Sequence, residues 1–225
     1  MGKHRGTHDA HLVWDWNGTL LDDITAVIGA TNAAFAEIGL APITLERYRE
    51  MYCVPVPRFY ERLLGRLPTD EEWDSMDVTF HRYYSEHRIG CGLTRGAEEL
   101  LGEWRRAGRS QSLLSMYGHD ELIPIVRGYG IEGHFLRVEG RKGRSGGSKA
   151  IHMEAHLAAL ADAAAPERTV VIGDAADDAI AAAHVGARAV LYTGGSHSRA
   201  NLESVGVPVV DSLEEAVAVA IDLVA

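Results

Sequence analysis

Hydrophobic and polar positions divide the chain into two unlike stretches. A short apolar run, Leu12-Val13-Trp14, reads as a buried strand that ends on Asp15 ahead of a Gly18-Thr19 turn. Beyond the turn, Ile24, Val27, Ile28, Thr31, Ala34, Phe35 and Ile38 fall at helical spacing until Gly39 stops the helix. Leu45, Tyr48 and Tyr52 predict a short second helix, closed by Pro55 and Pro57. Phe59, Tyr60, Leu63 and Leu64 mark a third helix, and Trp73, Met76, Phe80, Tyr83 and Tyr84 a fourth. Residues 22–90 are therefore expected to be all helical, with no strand candidate. A helical block placed straight after the first strand is read as a separate subdomain rather than part of the sheet's own winding.

From Gly92 onwards the pattern alternates. Strands are predicted at Ser112–Ser115, Phe135–Val138, Thr169–Ile172, Ala189–Tyr192 and Val209–Val210. Helices are predicted at Ala97–Arg106, His119–Arg127, from Ser148, from after Asp174 to Val185, and at Leu213–Val224, while Glu139–Gly147 reads as a loop. This alternation implies an α/β class with a doubly wound, parallel, Rossmann-like core sheet. The expected division is a core of residues 1–21 and 91–225, with residues 22–90 as the inserted helical subdomain.

Composition narrows the partners. The formal net charge is −10, from 22 basic and 32 acidic residues, which argues against nucleic acid as an obligatory partner. A small anionic substrate stays open, because a local positive group or a metal suffices. Two cysteines, Cys53 and Cys91, imply no disulfide framework. Met1–His11 lacks the apolar core of a signal peptide, and no run reaches the roughly 18–20 apolar residues of a membrane span. A cytoplasmic protein without membrane association is expected; oligomeric state is not readable.

Three predicted strand ends carry polar residues: Asp15, Ser115 and Asp174, with Lys149 at the mouth of a helix between the last two. Strand C-termini of a parallel sheet share one edge, so these groups can converge. Two carboxylates, a lysine and a hydroxyl suit a phosphate ester with a hard divalent cation held through oxygen. Each has a plainer reading: Asp15 as a helix cap, Ser115 as a turn residue.

Together the motifs resemble those of the haloacid dehalogenase (HAD) superfamily, in its phosphoglycolate-phosphatase-like branch with a helical cap after the first motif. The family's Asp-x-Asp-Gly-Thr is matched by Asp15 to Thr19 except at Asn17, its strand-ending Ser/Thr by Ser115, and its Lys by Lys149, 24 residues before Gly173. Its Gly-Asp-x-x-x-Asp is complete in Gly173, Asp174 and Asp178. The resemblance covers nearly the whole chain. It implies a Mg²⁺-dependent phosphatase acting on a small phosphorylated metabolite, with Asp15 as the nucleophile that forms an aspartyl-phosphate. Mg²⁺ would be held by Asp15, the backbone carbonyl of Asn17 and Asp174, with Asp178 ligating through water or bracing Lys149. Ser115 and Lys149 would bind the phosphoryl group. Trp16, Gly18 and Thr19 in the first loop, and Arg58 in the cap, are further substrate-binding candidates, with Arg47 and His87 beside Arg58.

Asn17 is the departure. The Asp usual there protonates the leaving alkoxide and activates water, a contribution of typically ~10²–10⁴-fold. Its loss points to a substrate with a good leaving group such as an acyl phosphate, to a borrowed acid at Tyr117 or His119, or to a slow or inactive protein with a binding or regulatory role. Were Asn17 merely a lost acid, Asn17→Asp would gain activity on alkyl phosphates. A dehalogenase needs no metal carboxylate, phosphonoacetaldehyde hydrolase needs a cap lysine that residues 22–90 lack, and phosphomutases need the missing acid. Gly143–Lys149 resembles a phosphate loop, but Ser148 and Ala150 break the pattern. His152 and His156, four apart, are read as surface histidines, and Asp177 as a solvated residue at a helix start.

Overall fold

Alternating side chains of the central strand face two different apolar layers. The computed structural model describes residues 10–143 and 148–225. In β1 (His11–Trp14) every residue is buried, with Leu12 and Trp14 on one side of the sheet and Val13 on the other. A strand covered on both faces needs no polar alternation, which is why its sequence is a continuous apolar run. With β2 (Leu21–Asp22), β3 (Gly92–Leu93), β4 (Ser110–Gly118), β5 (Val138–Arg141), β6 (Thr169–Gly173), β7 (Arg188–Tyr192) and β8 (Val209–Val210) numbered in chain order, the main sheet runs β5-β4-β1-β6-β7-β8, all parallel. The winding reverses on either side of β1, so the edge above β4, β1 and β6 is the switch point where ligands bind in such sheets.

Helices flank both faces. α5 (Ala97–Arg106), α6 (His119–Gly128) and α10 (Leu213–Leu223) cover the Leu12 and Trp14 face with Leu101, Trp104, Leu122, Val126 and Leu213. α7 (Lys149–Leu160), α8 (Ala176–His184) and the five-residue α9 (Arg199–Glu203) cover the other with Met153, Leu157, Ala181, Ala182 and Leu202. The inserted block supplies α1 (Ile24–Glu37), α2 (Leu45–Met51), α3 (Val56–Leu64) and α4 (Asp70–His87), which close on an apolar cluster of their own around Phe35, Tyr48, Phe59, Tyr60 and Met76. The α/β class with a parallel core sheet and a helical cap is thus observed. No helix is long and apolar enough to cross a membrane among the described residues.

Several expectations are corrected. Asp22 lies not in helix but in the two-stranded antiparallel ribbon of β2 and β3, which pairs Leu21 with Leu93 and Asp22 with Gly92 where the chain leaves and re-enters the core. Two residues a side are too few for any alternation to show. The strand expected at Phe135–Val138 begins only at Val138, after a 3₁₀ turn at Glu132–His134, and runs into the supposed loop to Arg141. Gly140 lies within this strand, and a Cβ there would come 2.6 Å from the Tyr117 carbonyl oxygen, so the close approach of β4 and β5 requires glycine. Pro57 does not close α2 but lies in the first turn of α3, where its missing N–H costs nothing. His156 is not a surface residue: it is fully buried under the sheet, bonded through Nε2 to Ser112 Oγ at 2.8 Å and through Nδ1 to Glu139 Oε2 at 3.1 Å. The phosphate-loop comparison at Gly143–Lys149 falls largely on residues 144–147, outside the described residues.

Candidate active site

Register brings the predicted residues to one edge. Trp14 pairs with Leu113 on β4 and with Ile172 on β6, so Asp15 stands level with Leu114 and Gly173. Ser115 and Asp174 are then each one residue further along. The first turn continues from there: Asp15 N–H donates to the Ile172 carbonyl at 2.9 Å, and Leu21 N–H closes on the Trp16 carbonyl at 2.9 Å. Gly18 has φ +68°, and a Cβ there would lie 2.7 Å from Asp174 Oδ2, so only glycine allows this loop and β6 to approach.

Lys149 Nζ donates to both Asp15 Oδ1 and Asp178 Oδ1 across more than a hundred residues of chain in the first case. Its position follows from Ser148, whose side chain accepts from Ala150 N–H at 3.2 Å and starts α7. Asp178 also accepts from Ala175 N–H with Oδ2 at 3.0 Å, so it braces the lysine with one oxygen and opens α8 with the other. Asp174 turns Oδ2 to Ser196, which donates from both N–H and Oγ at 2.7 Å. The carboxylates of Asp15, Asp174 and Asp178 are all buried, and one oxygen from each falls within 4.8 Å of the others.

Three acids face one ammonium here. Burial, reinforced by the neighbouring Asp178 and Asp174 and opposed by Lys149, pushes the Asp15 carboxyl well above the usual range. Burial and Asp178 push Asp174 up to about 6, with the Ser196 hydrogen bonds working against the shift. Burial opposes the charge on Lys149, but Asp15 and Asp178 outweigh it and hold the lysine protonated. The excess negative charge, the all-oxygen donor set and its compactness fit a hard divalent cation. Asp15 and Asp174 are the carboxylates suited to hold it, because both oxygens of Asp178 are already engaged by protein donors.

The other candidates sit as follows. Ser115 is buried where regular pairing of β4 with β5 breaks after Leu114, and its Oγ accepts from Tyr117 N–H at 3.0 Å. Trp16 is 1% exposed and packs 5.8 Å from the Tyr129 ring, which makes it core rather than a substrate contact. Thr19 is fully buried, its carbonyl held by Thr94 Oγ1 at 2.5 Å, so it supports the loop and does not reach a ligand. Arg58 is exposed at the start of α3 and ion-paired with Glu61 at 2.5 Å. Arg47 likewise pairs with Glu50, and His87 stacks on Tyr83 with ring centroids 3.8 Å apart. His119 accepts from Gly140 N–H through Nδ1 at 3.1 Å, and Tyr117 packs beside Tyr84, 6.2 Å between centroids. Asp177 is half-buried and accepts from the Lys149 backbone rather than standing in solvent.

Sequence reasoning missed Asp23, Arg49, Tyr84, Ser196 and His197. Asn17 Nδ2 donates to Asp23 Oδ2 and to Tyr84 Oη, both at 2.7 Å. Arg49 at the end of α2 donates to the Gly195 and Gly194 carbonyls at 2.8 and 2.7 Å, and the Arg49 carbonyl accepts from Ser198 N–H at 3.0 Å. Tyr52 meets the His197 ring edge-on at 5.2 Å. The loop Thr193–Ser198 follows β7 at the same sheet edge, and its Gly-Gly-Ser cluster was the available signal.

Residues 146–216 match the family model described as HAD-hydrolase-like. No curated protein matches the sequence. Among solved structures, a candidate phosphoglycolate phosphatase from Lactobacillus delbrueckii subsp. bulgaricus is similar at 21% identity and a TM-score of 0.79, over 97% of this chain and 99% of the other. A haloacid dehalogenase-like family hydrolase from Streptococcus pneumoniae is similar at 20% identity and a TM-score of 0.77, over 93% and 97%. Protein tyrosine kinase A of Mycobacterium tuberculosis is similar at 23% identity and a TM-score of 0.76, over 96% and 99%. Likeness at such identities speaks for the fold, and the fold is common to proteins described by opposite directions of phosphoryl transfer. Residues 146–216 thus match a HAD-hydrolase-like model, and nearly the whole chain shares the fold of these structures, a parallel α/β core with an inserted helical cap.

Proposed function

We propose that the protein is a Mg²⁺-dependent phosphatase that hydrolyses a small phosphorylated metabolite through an aspartyl-phosphate at Asp15. The observation that carries this reading is the buried meeting of Asp15, Asp174 and Asp178 with Lys149 at the switch-point edge. Asp15 and Asp174, with the backbone carbonyl of Asn17, would hold Mg²⁺, which supplies charge neutralisation at the phosphoryl oxygens. Asp15 attacks phosphorus; the new P–O bond forms as the bond to the leaving oxygen breaks, and that oxygen departs with the electron pair. Lys149 and Ser115 bind the phosphoryl oxygens and offset their charge. Water then attacks phosphorus, the P–O bond to Asp15 breaks, and inorganic phosphate leaves.

Asn17 has no proton to give, so the favoured substrates are those whose leaving oxygen needs none, such as acyl phosphates. A cytoplasmic setting suits the free thiols of Cys53 and Cys91. Hydrolysis of acetyl phosphate and p-nitrophenyl phosphate, with Mg²⁺ and with EDTA, tests the reading. Expected are Mg²⁺-dependent turnover preferring acetyl phosphate, a burst of acid-stable phosphoenzyme on rapid quench, and loss of both in Asp15→Asn. Turnover that survives EDTA or Asp15→Asn would overturn it. Asn17 also favours a second reading, a phosphate-binding protein without turnover; saturable phosphate binding with no hydrolysis of either ester would establish it.

A further inference from the structure

Asp23 stands immediately before α1, the place where an aspartate ordinarily caps a helix, yet its side chain makes no capping bond. It turns back to the first loop instead. Oδ1 accepts from Gly18 N–H at 2.8 Å; Oδ2 accepts from Asn17 Nδ2 at 2.7 Å and from Tyr84 Oη at 2.6 Å. Asn17 Nδ2 gives its second hydrogen to Tyr84 Oη at 2.7 Å. Asp23 and Tyr84 are both buried, at 1% and 4% exposure. The direction of these bonds is forced, because a carboxylate only accepts and the amide nitrogen only donates.

We propose that Asp23 and Tyr84 are positioning residues that lock the side-chain amide of Asn17, leaving only its carbonyl oxygen Oδ1 to face ligands. This inference rests on the phosphatase reading and deepens it. With both amide hydrogens spent, position 17 is a pure acceptor: it orients a water or a substrate donor and gives no proton. Tyr84 lies near the C-terminal end of α4, so the lock ties the first loop to the last helix of the cap. It also explains why position 17 is not simply a lost acid. Asn17→Asp would set a carboxylate oxygen at hydrogen-bond distance from the buried Asp23 carboxylate, replacing a donor–acceptor pair with two acceptors.

The test is a swap. Asn17→Asp, Asp23→Asn and the double variant are compared for Tm in EDTA and for turnover of acetyl phosphate and glycerol phosphate with Mg²⁺. Asn17→Asp alone should lower Tm and gain little on glycerol phosphate. The double variant restores the pair with donor and acceptor exchanged; its Tm should recover, and its kcat on glycerol phosphate relative to acetyl phosphate should rise about tenfold or more. Tyr84→Phe, which frees one amide hydrogen, should lower kcat on acetyl phosphate with KM unchanged. Additive Tm changes at positions 17 and 23 would overturn the lock, and a single Asn17→Asp gain equal to that of the double variant would overturn its role. Recovery of Tm without any gain in turnover likewise removes the positioning role. If neither ester is hydrolysed by any form, the phosphatase reading fails, while the Tm cycle still decides the lock.

Discussion

Ser196 shows how a residue outside every recognisable motif governs Asp174, one of the two carboxylates proposed to hold Mg²⁺. Its N–H and Oγ both hold Asp174 Oδ2, so Oδ1 is the oxygen left to face a cation. Supports of this kind are worth about 10–100-fold in metal affinity. Ser196→Ala keeps the N–H and loses the hydroxyl, and calorimetric titration should find Mg²⁺ binding weaker by about tenfold; unchanged affinity would remove Ser196 from the site. Thr19 is the opposite case. Its Oγ1 is buried with no hydrogen-bond partner among the described residues, and an unpartnered buried hydroxyl costs about 1–3 kcal/mol. Thr19→Val should therefore leave Tm unchanged or raise it in a thermal melt, and a clear fall would reveal a partner for the hydroxyl. Asp15, Asp174 and Lys149 were legible because strand ends and helix starts follow from local pattern, whereas Asp178 came only through the resemblance of its motif. Trp16 was not, because the same indole suits a core or a cleft until Tyr129 is placed against it.

Among elements, α2 and the Thr193–Ser198 loop act as one unit. Arg49 donates to the carbonyls of Gly194 and Gly195, and Asn201 Nδ2 donates to those of Arg49 and Glu50 at 3.1 Å, so the short helix is fastened to the core at its C-terminal end. Gly195 has no room for a side chain, since a Cβ would fall 1.9 Å from Asp174 Oδ2. The position of α2 therefore bears on the carboxylate through this loop. Arg49→Ala should weaken Mg²⁺ binding and increase hydrogen exchange in α2, whereas the exposed Arg58→Ala should change neither; equal behaviour of the two variants would dissolve the connection. Sequence pattern located α2 through Leu45, Tyr48 and Tyr52, but its partner lies some 145 residues away along the chain. No local rule joins them.

For the molecule as a whole, a buried polar chain runs between the sheet and α7. Ser110 Oγ meets His11 Nδ1, His11 Nε2 meets Ser112 Oγ, and Ser112 Oγ meets His156 Nε2, each at 2.8 Å, before Glu139 closes the line. Burial lowers His11 from 6.5 to about 3, with His156 adding to the shift, and burial lowers His156 too. A lowered histidine pKa means that the unfolded chain binds more protons below pH 6.5 than the native one. This stability is fully present above pH 6.5 and is lost as pH falls toward the native value, by about 2 kcal/mol for His11 at pH 5. The raised Asp15 and Asp174 work in the opposite direction, so the measurement is a difference. Urea unfolding at pH 7.5 and pH 5 should show a smaller pH loss for His11→Gln than for the native chain; an equal loss would mean that His11 is not the group responsible.

Periodicity alone determined the class of this protein. Apolar runs of strand length alternating with helical stripes leave little choice but a parallel, doubly wound sheet, and polar residues at strand ends must then meet along one edge. Short elements and long-range bonds escaped that logic. The β2–β3 ribbon and α9 carry too few residues for a period to register, and β5 lies later than expected, at Val138–Arg141, with Gly140 packed against the Tyr117 carbonyl of β4. Only the folded chain decided that Asp23 forgoes capping α1 to hold Asn17 and that His156 is buried beneath the sheet. Hydrophobic pattern is a property of neighbours a few residues apart, whereas hydrogen-bond pairing at a site is settled by groups that meet only after the chain has closed.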